Sequence, residues 1–437
     1  MHRLKILVGT ILLLFVFGGL LALTVHQPKP KTEHAANFPN PAQEQNPLDS
    51  VELRQYLLDQ EELKTAIANY FENALASGDI VGAGVSIVKG DSIVLLDGFG
   101  KKNIEENTQV DGQTIFRLGS LSKGFAGVLA TDLQAEGKIC WDHRVREYLP
   151  EFQLGDSTHT EKVTIAHILS HTSGTPYHSF TNLVEAGLPL STIAKRFTEV
   201  TPISEPGEMY SYQNAMFALS GEIMERATGQ EIGELLAERF FVPLEMNRVI
   251  TDYDALFEDK NVAIPHTRKR NGWTARKLTD SYHNAIAAGG INASPEDMAK
   301  WMRFLLGHNP KVMEPMELAE AFTPRVEINI GRKYYKRWPG HASSHYGFGW
   351  RTHIFTDEHT GKRETVWHHG GSVNHFRNEI ALYPEADLGI CVLLNSHSKL
   401  AKTVIPDLHG IVKKVLDQTP IELQNTPKEE TASLSFE

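Results

Sequence analysis

The hydrophobic pattern changes period along this chain, and the order of the changes limits the folds open to it. A stretch with helical spacing at 52–76 is followed by 84–88 (GVSIV) and 93–98 (IVLLDG), which flank Lys89-Gly90-Asp91 and read as a β-hairpin. In 120–136, Leu121, Phe125, Leu129 and Leu133 recur four apart, with Gly137 placed to end a helix. A second amphipathic helix over 214–228 stops at Gly229, and 180–285 as a whole is helix-rich. Strand patterns return at 346–355, 363–367, 378–383 and 388–394, before a final helix at 402–416. Strands at both ends around a helical middle predict an α/β (α+β) fold. One antiparallel sheet is built from both chain ends, with flanking helices and a helical insert domain at about 130–285. A ligand cleft is expected at the seam between sheet and insert.

The chain has 437 residues, 41% of them hydrophobic, enough for a sizeable core. Its net charge is −11 and Arg268-Lys269-Arg270 is a short basic run, which argues against nucleic acid as the main partner. Cys140 and Cys391 lie far apart, and Cys391 falls in the apolar run LGICVLL, where a small buried hydrophobe fits. No Cys-x-x-Cys pair exists, so thiol redox chemistry and a zinc ribbon are set aside. Arg3 and Lys5 precede an almost unbroken apolar run from residue 6 to residue 25, about the length that spans a bilayer. No Ala-x-Ala site follows it and no lipobox cysteine is there. Residues 1–25 therefore read as an uncleaved membrane anchor, with a removed signal peptide as the alternative. Either way the bulk of the chain is exported, and an anchor at the inner membrane puts the working domain in the periplasm or outside the cell. Residues 26–50 read as a linker, 51–417 as the working domain and 418–437 as a disordered tail.

Within that domain, residues 117–124 read RLGSLSKG. Positions three apart share a helix face, so Ser120 and Lys123 can meet. A serine hydroxyl is a poor nucleophile until a base takes its proton. Lysine serves as that base only if burial and nearby positive charge bring its pKa toward neutrality. Ser120 also stands at a helix start, where free backbone N–H groups favour an oxyanion. The tetrad alone is weak, since Ser-x-x-Lys arises often by chance and Lys123 could simply reach out to solvent.

Two further segments strengthen it. In YSYQN (210–214), Tyr212 and Asn214 point the same way if the loop is extended. A phenol there can relay a proton to a leaving group, and an amide can hydrogen-bond both the lysine and a substrate. The ordinary alternatives are a helix-capping Asn214 and a packing Tyr212. In WHHGGS (367–372), directly after a strand, two glycines permit close backbone approach by a substrate, and a histidine can donate to a carboxylate or to the tyrosine. The ordinary alternative is a glycine-rich turn with solvated histidines.

Together and in this order, the three segments resemble the serine β-lactamase and penicillin-binding-protein-like superfamily, and more closely its class C β-lactamase, esterase and D-aminopeptidase branch. The resemblance covers about residues 63–417 and extends to VTIAHILSHTSGTP, AAGGINASPEDMAKWM and YGFGW. It implies a β-lactamase/transpeptidase-like fold. It further implies Ser120 as acylated nucleophile, Lys123 as its base partner, and Tyr212 and Asn214 as the Tyr-x-Asn motif. His369, Gly370 and Gly371 match the third motif, and the backbone N–H groups of Ser120 and Ser372 the oxyanion hole. Histidine stands where many β-lactamases carry lysine, which removes a permanent cation for a substrate carboxylate. Tyr210 competes with Tyr212 for the tyrosine role, and His368 with His369 for register.

The expected function is an exported serine hydrolase that acts through an acyl-enzyme on amide or ester bonds, a peptidase or esterase of the β-lactamase-related type. A true β-lactamase or DD-carboxypeptidase is the alternative. An alternative of another class is a non-catalytic, membrane-anchored protein that binds peptidoglycan or a partner. The expected ligand is a small molecule or peptide, with peptidoglycan-derived peptides as candidates. No cofactor is expected, and no metal, because neither His-x-His-x-Asp nor His-Glu-x-x-His occurs.

Overall fold

The computed structural model describes residues 50–416, apart from 330, 332 and 358–359. The expected anchor at 1–25, the linker up to residue 49 and the tail at 418–437 lie outside the described residues. Among the described residues no helix is long and apolar enough to cross a membrane.

Helix α1 (Ser50–Ala76) leads into β1 (Gly82–Lys89), β2 (Ser92–Asn103) and the short β3 (Thr108–Gln109). The middle of the chain supplies α2 (Ser122–Ala135), α3 (Asn214–Thr228) and α4 (Pro295–Leu305). Strands β4 (Val326–Glu327), β5 (His341–Tyr346), β6 (Arg351–Thr356), β7 (Arg363–Val373), β8 (Phe376–Tyr383) and β9 (Leu388–Leu394) follow, then α5 (Val404–Leu416). Among the described residues these nine strands form one sheet in the order β3-β2-β1-β9-β8-β7-β6-β5-β4. The two ends of the chain meet where β1 and β9 pair antiparallel, Ala83 opposite Leu394 and Lys89 opposite Leu388. The sheet is thus built from both ends, as the sequence predicts.

Strand β9 shows how the two layers are held. LGICVLL is apolar throughout because both of its faces are covered. Leu388, Ile390, Val392 and Leu394 enter one core with Leu63, Ile67 and Phe71 of α1 and Leu408 and Val412 of α5. Cys391 and Leu393 enter the other, with the middle helices. Cys391 is a buried free thiol and Cys140 is also free.

Three local expectations are corrected. The predicted strand at 346–355 is two strands, β5 and β6, because Gly349 (φ +77°) turns the chain between them. Inside the helix-rich segment, His266–Lys269 and Gly272–Ala275 form a hairpin with Lys269 opposite Gly272, so that Arg270-Asn271 is its two-residue turn. The basic run 268–270 lies on that exposed hairpin. WHHGGS does not follow a strand but lies within β7, with His368 and His369 both fully buried.

The turn between β5 and β6 locks onto α2. A Cβ on Gly127 would lie 1.9 Å from the carbonyl oxygen of Phe348, and one on Gly349 would lie 2.0 Å from that of Lys123. Gly127→Ala must push turn and helix apart. The expected loss of stability is about 1–3 kcal/mol in urea denaturation, and an unchanged midpoint would refute this packing.

Candidate active site

The turn before α2 is built by the sheet. Gly119–Leu121 forms one turn of 3-10 helix that runs directly into α2. Asn378 of β8 donates from Nδ2 to the carbonyl oxygens of Arg117 (2.8 Å) and Leu118 (3.1 Å), pinning the backbone just before Ser120. Gly119 has φ +56°, and a Cβ there would meet the backbone of Ser372 at 2.9 Å. A Cβ on Gly371 would come within 2.1 Å of Leu118 O. These glycines let strand β7 and the serine turn touch. Pairing of β6 with β7 ends at Arg351–His368, so residues 369–373 run on beside Ser120 with no β6 partner.

In a 3-10 turn the side chains at i and i+3 eclipse, and Nζ of Lys123 lies 3.3 Å from Oγ of Ser120. Nζ also lies 2.8 Å from Oδ1 of Asn214 and 2.7 Å from the carbonyl oxygen of Ala288. Both of those atoms can only accept. A neutral amine has two N–H bonds, and these two acceptors take them, which leaves the lone pair for the hydroxyl of Ser120. Lys123 is fully buried, and burial first, then the positive charge of Arg351, holds its pKa well below the usual lysine value. This is how the chain tolerates a lysine in an apolar helix face with no acid beside it.

Tyr212 donates from its hydroxyl to Ser120 Oγ at 2.8 Å. Burial pushes the phenol up to about 12, so it stays protonated as a proton donor. Tyr210 is buried instead against Tyr346, with ring centroids 5.4 Å apart. Gln213 is extended (φ −137°, ψ 109°), which puts Tyr212 and Asn214 on one side of the chain. Asn214 opens α3 without a side-chain cap bond. It spends its amide on Lys123 and, through Nδ2, on the hydroxyl of Tyr282 at 2.9 Å.

His369 is placed differently from its expected use. Nδ1 lies 2.9 Å from the carbonyl oxygen of Gly370, an acceptor, so Nδ1 carries the proton. Nε2 then accepts from the hydroxyl of Tyr346 at 3.0 Å. No ring N–H is left for a substrate, and burial, then Arg351, holds the ring's pKa well below the usual histidine value. Nor does Gly370 face a substrate. A Cβ there would meet the Tyr334 hydroxyl at 2.7 Å and both Glu379 carboxylate oxygens at 3.0 Å. Ser372 is exposed at this strand end.

Sequence reasoning passed over several contributors. Ala288 O lies in AAGG, where the signal was the glycine pair: a Cβ on Gly289 would come within 2.6 Å of the Tyr282 ring. His171, in the HTSG turn at φ +59°, beds its ring against Tyr212 with centroids 4.3 Å apart. Arg351 follows YGFGW at the start of β6. Its guanidinium lies 5.4 Å from the centre of the Tyr335 ring. Its Nε and Nη1 are out of contact with solvent and have no hydrogen-bond partner, and among the described residues no carboxylate pairs with it.

Residues 67–407 match the family model described as Beta-lactamase. Among characterised proteins, Protein flp of Staphylococcus aureus (strain MW2) is 24% identical over 345 residues, 78% of this chain and 65% of that protein. Unguisins hydrolase ungD' of Aspergillus campestris (strain IBT 28561) is 27% identical over 366 residues, 81% of this chain and 65% of that protein. The chain thus spans just under two thirds of the length of these relatives. A solved octameric penicillin-binding protein homologue from Pyrococcus abyssi superposes with a TM-score of 0.66 at 25% identity, over 78% of this chain and 76% of that one.

Proposed function

The chain belongs to the β-lactamase family, and from that premise we propose that it is a serine hydrolase acting through an acyl-enzyme on amide or ester bonds. One observation carries the proposal: the Ser120 hydroxyl lies between Lys123 Nζ at 3.3 Å and the Tyr212 phenol at 2.8 Å, with the amine held toward its neutral form by burial. Neutral Lys123 takes the Ser120 proton as Oγ attacks the substrate carbonyl. The backbone N–H groups of Ser120 and Ser372 receive the developing oxyanion. Tyr212 gives its proton to the leaving group and recovers one from the Lys123 ammonium. Water then releases the acyl group by the reverse use of the same groups. A relative named a hydrolase supports turnover over the non-catalytic binding role.

The test is the mass of the protein after exposure to a fluorophosphonate, with the adduct mapped by digestion. One adduct on Ser120 is expected, and labelling elsewhere would defeat the assignment. We assign the substrate to the peptidase and esterase class, so p-nitrophenyl butyrate and D-Ala-p-nitroanilide should turn over faster than nitrocefin. Export, with an anchor at residues 1–25 and a peptidoglycan-derived substrate, belongs to the same proposal.

Arg351 favours a second reading, a β-lactamase or DD-carboxypeptidase, because its buried Nε and Nη1 have no hydrogen-bond partner and suit a substrate carboxylate that His369 cannot bind. A buried donor left unpaired costs about 1–3 kcal/mol, which an anionic ligand would relieve. Arg351→Met should raise KM for nitrocefin about tenfold or more while leaving KM for p-nitrophenyl butyrate within about twofold. Equal effects on both substrates would remove Arg351 from anion binding.

A further inference from the structure

Tyr212 stands on a stretch with no regular structure of its own. Residues 209–213 belong to no helix or strand, so the aim of the Tyr212 hydroxyl at Ser120 has to be set by a neighbouring segment. Three backbone groups around Tyr212 are bonded to the loop at 171–178. Ser211 donates its N–H to the carbonyl oxygen of His171 at 2.8 Å, and the Tyr212 carbonyl accepts from His178 N–H at 3.0 Å. Gln213 donates its N–H to Nδ1 of the His171 ring at 3.2 Å. That ring also lies against the Tyr212 ring, with centroids 4.3 Å apart. One histidine therefore holds the residue before Tyr212, the residue after it, and the phenol itself.

The backbone of His171 is held in an uncommon conformation to do so. Thr172 N–H bonds to His167 O at 2.8 Å and His171 N–H to Ile168 O at 3.4 Å, closing the short helix Ile165–Leu169. A helix end with this pair of bonds puts a left-handed residue at the position of His171, and φ there is +59°. Glycine takes such a position freely, and asparagine more readily than most residues. A histidine in it costs backbone strain, which the helix end by itself does not call for. The side chain does call for it, since it bonds Gln213 and packs on Tyr212 from that position.

The ring has little freedom. His171 is 1% exposed and lies between Tyr212 and Tyr346, whose ring centroid is 4.8 Å away, with that of Phe217 at 5.3 Å. Because Nδ1 accepts, Nε2 carries the proton, and Nε2 is buried without a hydrogen-bond partner. The bond to Gln213 is thus what fixes the rotation of the ring. Burial holds the ring well below the usual histidine pKa, so Nδ1 stays bare as an acceptor. The loop is tied down in turn by Gly207, whose N–H donates to Thr172 O at 2.8 Å.

We propose that His171 is a positioning residue: through Ser211, Gln213 and the ring face it aims the Tyr212 hydroxyl, and so sets how well leaving groups that need a proton are expelled. The proposal rests on the acyl-enzyme reading above, in which Tyr212 protonates the leaving group. In that step the bond from the carbonyl carbon to the leaving oxygen breaks, the phenol proton moves to that oxygen, and the Lys123 ammonium returns a proton to the phenolate.

An alkoxide leaves only as it is protonated, whereas p-nitrophenolate leaves as the anion. Ethyl butyrate and p-nitrophenyl butyrate share an acyl group and differ in this requirement, so the ratio of their kcat/KM values reads the aim of Tyr212. His171→Phe keeps a ring but removes the acceptor. It should lower kcat/KM for ethyl butyrate about 10²-fold and that for p-nitrophenyl butyrate no more than about threefold. His171→Asn puts an oxygen at the place of Nδ1 and suits the left-handed backbone, but lacks the ring. It should lower the ratio by only about tenfold. An equal fall on both esters is what a merely structural role gives, and it overturns the proposal. So does an unchanged ratio in a folded His171→Asn protein, whether or not His171→Phe folds. Tyr212→Phe should lower the same ratio, and in that background His171→Phe should change it by no more than about twofold. A second fall as large as the first would show that the effect does not pass through Tyr212, and overturns the assignment. The acyl-enzyme reading fails differently, by a Tyr212→Phe protein that keeps the unsubstituted ratio or by the absence of a Ser120 adduct.

Discussion

Ser120→Ala will reduce hydrolysis of p-nitrophenyl butyrate by about 10⁴-fold or more, to the level left by substrate binding and backbone donors alone. The expected size follows from what the hydroxyl is. Its oxygen is the side-chain atom that Lys123 and Tyr212 both engage, and among the described residues no other hydroxyl hydrogen-bonds to both. The same substitution should abolish the fluorophosphonate adduct. It should leave the melting temperature within a few degrees, because a half-buried oxygen with two hydrogen bonds is a small part of the stability. Turnover retained in a folded Ser120→Ala protein would end the acyl-enzyme reading.

Lys123→Ala should lower the acylation rate by about 10²–10⁴-fold, the span of a positioned general base. The pH dependence identifies the role. In the unsubstituted protein the rate should fall on the acid side, as Lys123 takes up a proton and loses the lone pair that faces Ser120. That limb should vanish in Lys123→Ala, and added primary amines should restore part of the rate there but not in Ser120→Ala. Lys123→Arg should be inactive at every accessible pH, because a guanidinium does not give up its proton. An acid limb that survives Lys123→Ala would show the base to be another group. The same depressed pKa affects stability. Between it and the ordinary lysine value of 10.5, the unfolded chain binds the extra proton, so stability rises with pH across that window.

Several features needed only local pattern. The spacing of Leu121, Phe125, Leu129 and Leu133 located α2, and Gly229 marked the end of α3 at the observed residue, with φ +77°. The apolar run 388–394 coincides with β9 because a central strand buries both faces and so carries no polar position to blur its ends. Ser120, Lys123, Tyr212 and Asn214 were chosen on their chemistry and motif order, and the structure brings them within hydrogen-bond reach of one another. The strand pattern read at 346–355 failed because apolar alternation does not reveal a left-handed turn at Gly349. WHHGG looked like an edge because glycine pairs usually mark one. Here they make room for Leu118 O on one side and for Glu379 on the other.

Sequence alone was enough for the residue types and their order, since an i, i+3 pair and an x-Tyr-x-Asn loop impose their geometry over a few bonds. The charge state of the site was decided by the tertiary structure. Lys123 is neutral-leaning because packing buries it and the field of Arg351, 228 residues away along the chain, reaches it, while its hydrogen-bond acceptors on Asn214 and Ala288 come from 91 and 165 residues away. The hydrogen bonds that take both ring nitrogens of His369 were set in the same way, by the Gly370 carbonyl and the Tyr346 hydroxyl. Desolvation and hydrogen-bond partners come from whatever packs nearby, and no local pattern carries that information.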